Sequence, residues 1–140
     1  MVMTVHVDIV SAEANIYSGM AEMVIAPAVQ GEVGILPLHA QYITPLSEGA
    51  VRLKLGNDKE ESFYVSGGFL EVQPHIVTIL SDTALRAHDI DEKAALEAKQ
   101  NAEKLLSDKQ SDFEYARAEA ELSAAMLQLR ALAKLRKVNK

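Results

Sequence analysis

The chain has 140 residues, room for one domain and an appendage, and its lack of cysteine excludes disulfides and thiolate metal sites. Net charge is −6, and no window approaches the ~20 apolar residues of a membrane span. The start has neither a basic segment nor a long apolar run, so no signal peptide and a soluble protein are expected; a reducing compartment fits the missing cysteine.

The first half of the chain alternates apolar and polar residues. Val5, Val7 and Ile9 against His6 and Asp8 read as a half-buried strand over Thr4–Val10. Ser11–Asn15 supplies turn residues, and Tyr17-Ser-Gly19 precedes a second strand from Ala21 to Ala26, closed by Pro27. Gly31 and Gly34 bracket two residues and permit positive φ or close backbone approach, and Ile35-Leu36-Pro37 follows. Pro45 within Tyr42–Leu46 argues for an edge or a bend. Val51, Leu53 and Leu55 alternate with Arg52 and Lys54, and Gly56–Glu61 reads as a polar hairpin loop. Strands follow at Ser62–Ser66, Phe69–Gln73 and Ile76–Leu80, with Gly67-Gly68 and Pro74-His75 as punctuation. Short strands bounded by Gly, Pro and Asn/Asp indicate a sandwich or barrel.

From Leu80 to Asp91 the period changes from two to about 3.6. Thr83–Ala87 reads as an irregular or single-turn segment. With few apolar anchors, Thr83–Asp89 is expected to be locally flexible. Asp89, with Glu92 three residues on, is the expected cap of a helix from Asp91 to Leu106 striped by Ala94, Ala95, Ala98, Ala102, Leu105 and Leu106. Ser107–Ser111 is a connection, and Ser111-Asp-Phe-Glu114 matches a capping box before a second helix reaching Lys137. That helix carries Ala118, Leu122, Ala125, Leu129 and Leu132 on one face. The fold class is α+β: an N-terminal β-sandwich (1–88) followed by a C-terminal two-helix antiparallel hairpin (89–140). Alanine buries little area, so the hairpin is expected to be marginal alone and to depend on what it docks against.

Charge divides the chain in the same place. Residues 1–88 hold four Lys/Arg and ten Asp/Glu, while residues 89–140 hold ten of each. The last eleven residues contain Arg130, Lys134, Arg136, Lys137 and Lys140 and no acid. Such a tip suits an acidic protein surface or a nucleic acid, and equally a solvated helix end facing the negative pole of its own dipole. The acidic remainder and scarce aromatics argue against nucleic acid. His6, His39, His75 and His88 lack metal-ligand spacing. No serine lies in a nucleophile elbow, and no glycine-rich phosphate loop is present. Read this way, the residues describe a binding or regulatory module rather than an enzyme, with a stand-alone sandwich adaptor bearing a structural tail as the alternative.

Three segments add a resemblance. Gly31-Glu-Val-Gly-Ile-Leu-Pro-Leu-His39, Val65-Ser-Gly-Gly-Phe-Leu-Glu-Val72 and Val77-Thr-Ile-Leu-Ser-Asp-Thr-Ala84 are similar, in this order, to signatures of the epsilon-subunit family of bacterial F-type ATP synthases. The likeness spans the whole chain. It implies a non-catalytic rotor-stalk subunit, peripheral on the cytoplasmic face of the bacterial inner membrane without lipid insertion. Its sandwich would bind the gamma subunit and sit on the c-ring, with a loop bearing Glu32, Val33, Gly34 and His39 facing the ring. Its arm, hinged at Ala87, His88 and Asp89, would extend into the alpha/beta catalytic head and inhibit hydrolysis through Arg117, Arg130, Lys134, Arg136 and Lys137. Some members bind ATP through an Ile/Leu-Asp-x-x-Arg-Ala motif. Here Ile90-Asp-Glu-Lys-Ala-Ala95 puts Ala94 where that arginine stands, and the second-helix arginines would fall near Ala124 and Gln128. No nucleotide or other cofactor is therefore expected.

Overall fold

A computed structural model describes residues 3–107 and 112–138, without the side chains of 112–114 and 137–138. The first strand, β1 (Val5–Ser11), buries Val5, Val7 and Ile9 as its alternation dictates. The next, β2 (Asn15–Ala21), corrects the sequence reading, which began the second strand only at Ala21. It has no clean alternation; antiparallel pairing with β1, from Val5↔Ala21 to Val10↔Asn15, holds it as a strand. Then come β3 (Met23–Ala28) and β4 (Gly31–Ile35), an antiparallel hairpin whose turn Gly31 closes at φ +128. Pro27 therefore lies inside a strand rather than ending one.

After β5 (Tyr42–Leu46), the pair β6 (Gly49–Gly56) and β7 (Lys59–Val65) forms a second hairpin. Its turn is only Asn57-Asp58, both in the left-handed region at φ 53 and 61, not the longer polar loop expected. Asn and Asp tolerate that geometry, and the turn's twist matches the strands. The remaining strands are β8 (Gly68–Val72), β9 (Ile76–Ser81) and β10 (Ala84–Arg86).

The strands pair in the order β10-β7-β6-β3-β5-β8-β9-β1-β2, with β4 beside β3. All pairings are antiparallel except β1–β9. The bridge from β3 to β5 is the single pair Ala28↔Leu46, next to Pro45, where the sheet turns over. Pro45 marks that bend, since it has no N–H to extend a ladder. The two halves of this β-sandwich close over one core whose described residues all lie on strands, Val7, Ile9, Leu53, Phe63, Leu70 and Ile79 among them.

Two helices follow. The first, α1 (Glu92–Ser107), is capped by Asp91, whose carboxylate accepts the Ala94 N–H at 3.2 Å, and not by Asp89. Asp89 instead ends a 3-10 turn, Ala87–Asp89. The stripe is narrower than read: Ala95 and Ala102 are buried, whereas Ala94, Ala98 and Leu105 are exposed. The second, α2 (Asp112–Val138), buries Ala118, Ala125, Ala131 and Leu135. It packs on α1 and also against β6 and β7. The expected Ser111 cap and 108–111 connection, and Lys140, lie outside the described residues.

Candidate functional site: a docked arm and two exposed faces

The arm meets the sandwich through a second apolar cluster. Ala131 and Leu135 of α2 bury against Ala50 of β6 and Tyr64 of β7, flanked by Leu127, Leu85, Ala87 and Ile90. Phe63, Tyr64 and Val65 are consecutive and all buried. A strand buried on both sides needs a layer on each, and α2 is the outer one.

An ionic seam borders this cluster. Glu48, in the β5–β6 turn, takes a forked pair of contacts from Arg130: Nη2–H to Oε1 and Nε–H to Oε2, both 2.6 Å. The Tyr64 hydroxyl donates to Glu48 Oε2 at 2.5 Å, and Lys134 Nζ stands 4.0 Å from Oε1. The turn is fixed in its turn by Ser47, whose N–H and hydroxyl both donate to the Pro27 carbonyl. Arg130 and then Tyr64 hold the Glu48 carboxyl below the usual glutamate range. Burial, aided by Glu48, pushes the Tyr64 phenol up to about 12. Arg136 pairs with Glu92 of α1, and Arg117 with Glu121 of its own helix at 3.3 Å. Four of the five predicted inhibitory cations are thus engaged within the chain: Arg130 and Lys134 on the sandwich, Arg136 on α1 and Arg117 within α2. The Lys137 side chain lies outside the described residues.

The hinge residues Ala87, His88 and Asp89 form the 3-10 turn, but the segment before them is anchored, contrary to the sequence reading. Ala84 is buried, β10 pairs with β7, and Arg86 is clamped. The Arg86 guanidinium sits 5.3 Å over the Tyr17 ring and 5.5 Å over Phe63, with Nε 3.6 Å from Glu61. The arm therefore leaves the sandwich from a fixed point.

Of the loop expected to face a ring, Glu32, Val33 and Gly34 lie on β4, and only His39 is in the irregular segment after it. Glu32 pairs with Arg52 at 2.8 Å; Val33 packs partly on the core. His39 Nδ1–H donates to the Ala40 carbonyl at 2.7 Å, and its ring lies 6.2 Å from that of Tyr42. The same region exposes Val29, Leu36 and Leu38, apolar side chains that sequence reasoning passed over.

A second exposed apolar face was also missed. Strand registers align Pro45, Phe69, Leu80 and Val10 in one row across β5, β8, β9 and β1. Phe69 is 53% and Ile43 68% exposed, and a shallow groove runs between Val10, Phe69, Leu80 and Asp82. A contiguous exposed apolar strip is a candidate protein contact. The signal was present in Phe69, which alternates outward beside the buried Leu70.

His6, Asp8 and Ser18 also cluster on β1 and β2. Both Asp8 and the Ser18 hydroxyl face the same imidazole nitrogen, Nε2, at 3.0 and 3.2 Å. A relay needs the acid and the nucleophile on opposite nitrogens, so the cluster cannot act as one. The Ser18 hydroxyl, with His6, holds the Asp8 carboxyl low. Among the described residues no group of three or more potential ligands is placed to hold a metal ion, and no helix is long and apolar enough to cross a membrane. Ala94 is exposed and offers no cation.

Residues 4–87 match the family described as ATP synthase, Delta/Epsilon chain, beta-sandwich domain, and residues 88–133 its long alpha-helix domain. The chain is 59% identical over 138 residues to the ATP synthase epsilon chain of Thioalkalivibrio sulfidiphilus, covering 98% of each. It is 58% identical over 137 residues to that of Nitrosococcus oceani, again covering 98% of each. Among solved structures, a chain of the Euglena gracilis mitochondrial ATP synthase superposes with a TM-score of 0.59 at 20% identity, over 85% of this chain and 75% of that one. At that identity the likeness is one of fold.

Proposed function

The chain belongs to the ATP synthase delta/epsilon chain family, and on that premise we propose that it is a non-catalytic subunit of the rotor stalk of a bacterial proton-translocating ATP synthase. Residues 1–88 act as the anchor and residues 89–140 as a regulatory arm. The observation that carries this reading is the separation of the two cores: among the described residues the sandwich core contains no helix residue, and the arm is held by a smaller, alanine-rich cluster of its own. The arm can leave without opening the sandwich.

The row Pro45, Phe69, Leu80 and Val10 fits a helical partner, the gamma subunit. A flat sheet face with protruding aromatic and aliphatic side chains buries area against a helix at little ordering cost. The β4 segment, with Glu32, Val33 and Gly34, and the following turn with His39 and the exposed Leu36 and Leu38 form the face for the loops of the c-ring. The whole subunit then sits peripherally at the cytoplasmic face of the inner membrane. Arg117, Arg130, Lys134, Arg136 and Lys137 would meet an acidic surface of the alpha/beta head once the arm extends, blocking rotation in the hydrolysis direction. No nucleotide site is assigned, because Ala94 cannot bind a phosphate.

Reconstitution of the catalytic head with the full chain and with residues 1–88 tests this. Both should bind, and only the full chain should slow ATP hydrolysis. Phe69→Asp, at an exposed position, should fold but fail to associate with gamma. Equal hydrolysis with both chains would reject the arm as a brake; undiminished association of the Phe69 variant would reject the proposed gamma face.

A further inference from the structure

The residue that holds the arm down is not on the arm. Glu48 is separated by 82 positions from Arg130, yet its carboxylate is the common acceptor for Arg130 and Tyr64 and lies nearest to Lys134. Arg130 and Lys134 are two of the cations assigned above to the acidic surface of the head. A forked guanidinium–carboxylate contact is also the arrangement an acidic partner would have to offer. We infer that Glu48 is an internal stand-in for that partner: it positions α2 on the sandwich and withholds Arg130 and Lys134 from the catalytic head until the head's own carboxylates outcompete it. The inference rests on the reading of the arm as a brake and adds what sets its resting state.

Three observations support competition rather than simple anchoring. The Glu48 contact is at the rim of the apolar cluster, with Arg130 largely exposed, so an incoming acid can reach the guanidinium before Leu135 leaves its seat. The groups facing Glu48 come from two elements, Tyr64 from β7 and Arg130 with Lys134 from α2, and no other acid among the described residues is in contact with these two cations. Tyr64 remains when the arm departs, and its hydroxyl keeps Glu48 ordered for recapture. The arm then has two acidic seats of similar chemistry, one internal at high effective concentration and one on the partner.

The test uses the full chain with one cysteine at Glu60 and one at Gln128, both exposed, labelled for a distance measurement; the natural chain has no cysteine to interfere. Glu48→Gln keeps an acceptor for Tyr64 but removes the charge. In the isolated chain it should raise the open-arm population roughly three- to fivefold, the loss expected for one exposed, forked ion pair. With the reconstituted head it should inhibit hydrolysis at lower chain concentration than the unsubstituted protein. Glu48→Arg should open the arm further, and Glu48→Arg with Arg130→Glu should close it again in the isolated chain while inhibiting poorly, because the cation has been exchanged for an acid. A Glu48 that acts through packing rather than through Arg130 would not be rescued by the reversed pair, and a Glu48 that anchors without competing would leave the inhibitory concentration of Glu48→Gln unchanged. An unchanged open population in Glu48→Gln, or failure of the reversed pair to re-close, overturns the inference. If instead removing the arm leaves hydrolysis unaltered, the brake reading fails while the distance results on the isolated chain still decide whether Glu48 is the latch.

Discussion

Leu135→Ala is the substitution that most directly weighs the arm's attachment. Leu135 is 4% exposed and is the largest α2 side chain buried against the sandwich, beside Ala50, Tyr64 and Ala131. Replacing it removes three carbons from the interface, at about 0.8 kcal/mol each by transfer. The neighbouring Ala131 cannot fill the space, so a cavity cost adds to this, but a site near a helix end collapses more readily than a core centre. The loss is therefore about 2–3 kcal/mol, or roughly 30- to 150-fold in the open-to-docked ratio. Because the sandwich core contains no helix residue among those described, this loss should fall on docking alone. Amide hydrogen exchange on the isolated full chain reads both parts at once. Protection over residues 125–136 should fall by that factor, while the strands at Val7, Ile79 and Leu53 keep theirs. Uniform loss across helix and strands would refute the reasoning, since arm and sandwich would then be one cooperative unit.

Other consequences follow from single contacts. A Cβ on Gly68 would stand 1.9 Å from the Leu80 carbonyl oxygen, at φ +126, so Gly68→Ala should destabilise the sandwich by at least about 2 kcal/mol in chemical denaturation; a loss under half that would contradict the geometry. The pH dependence has a definite sign at both ends. The Glu48 carboxyl lies below its ordinary 4.5 when folded, so its contribution is present above that value and is lost as pH falls through the folded one. The Tyr64 phenol lies above its ordinary 10.0, at about 12, so its contribution is complete below pH 10 and disappears between the two. Denaturation midpoints of the full chain should drop in both windows, and Glu48→Gln should flatten the acid one. Calorimetric titration with ATP should give no micromolar binding, since by the resemblance Ala94, Ala124 and Gln128 would stand where ATP-binding members carry arginines.

Where the chain states its pattern locally, structure and sequence coincide. Val5-x-Val7-x-Ile9 and Val51-x-Leu53-x-Leu55 are strands because alternation leaves no other way to bury them. By contrast, β2 and β10 exist through pairing with β1 and β7; Tyr17-Ser-Gly19 and Ala84-Leu-Arg86 carry no pattern of their own. The turn at Asn57-Asp58 was overextended because charged Lys59, Glu60 and Glu61 look like loop, yet they pair with β6 at the sheet's wet end. The arm's docking site left one legible trace. Phe63-Tyr64-Val65 breaks alternation with three consecutive apolar residues, which calls for a cover on both faces. Glu48 left none, because a contact across 82 positions has no local signature.

The most direct measurement is the distance between labels at Glu60 and Gln128 in the full chain, first isolated and then bound to a catalytic head stalled during ATP hydrolysis. The account predicts a short distance in the isolated chain and a long one in the stalled complex, with Glu60 still rigid relative to gamma. A short distance in both would mean that the arm never leaves the sandwich and that inhibition, if present, acts through another part of the chain.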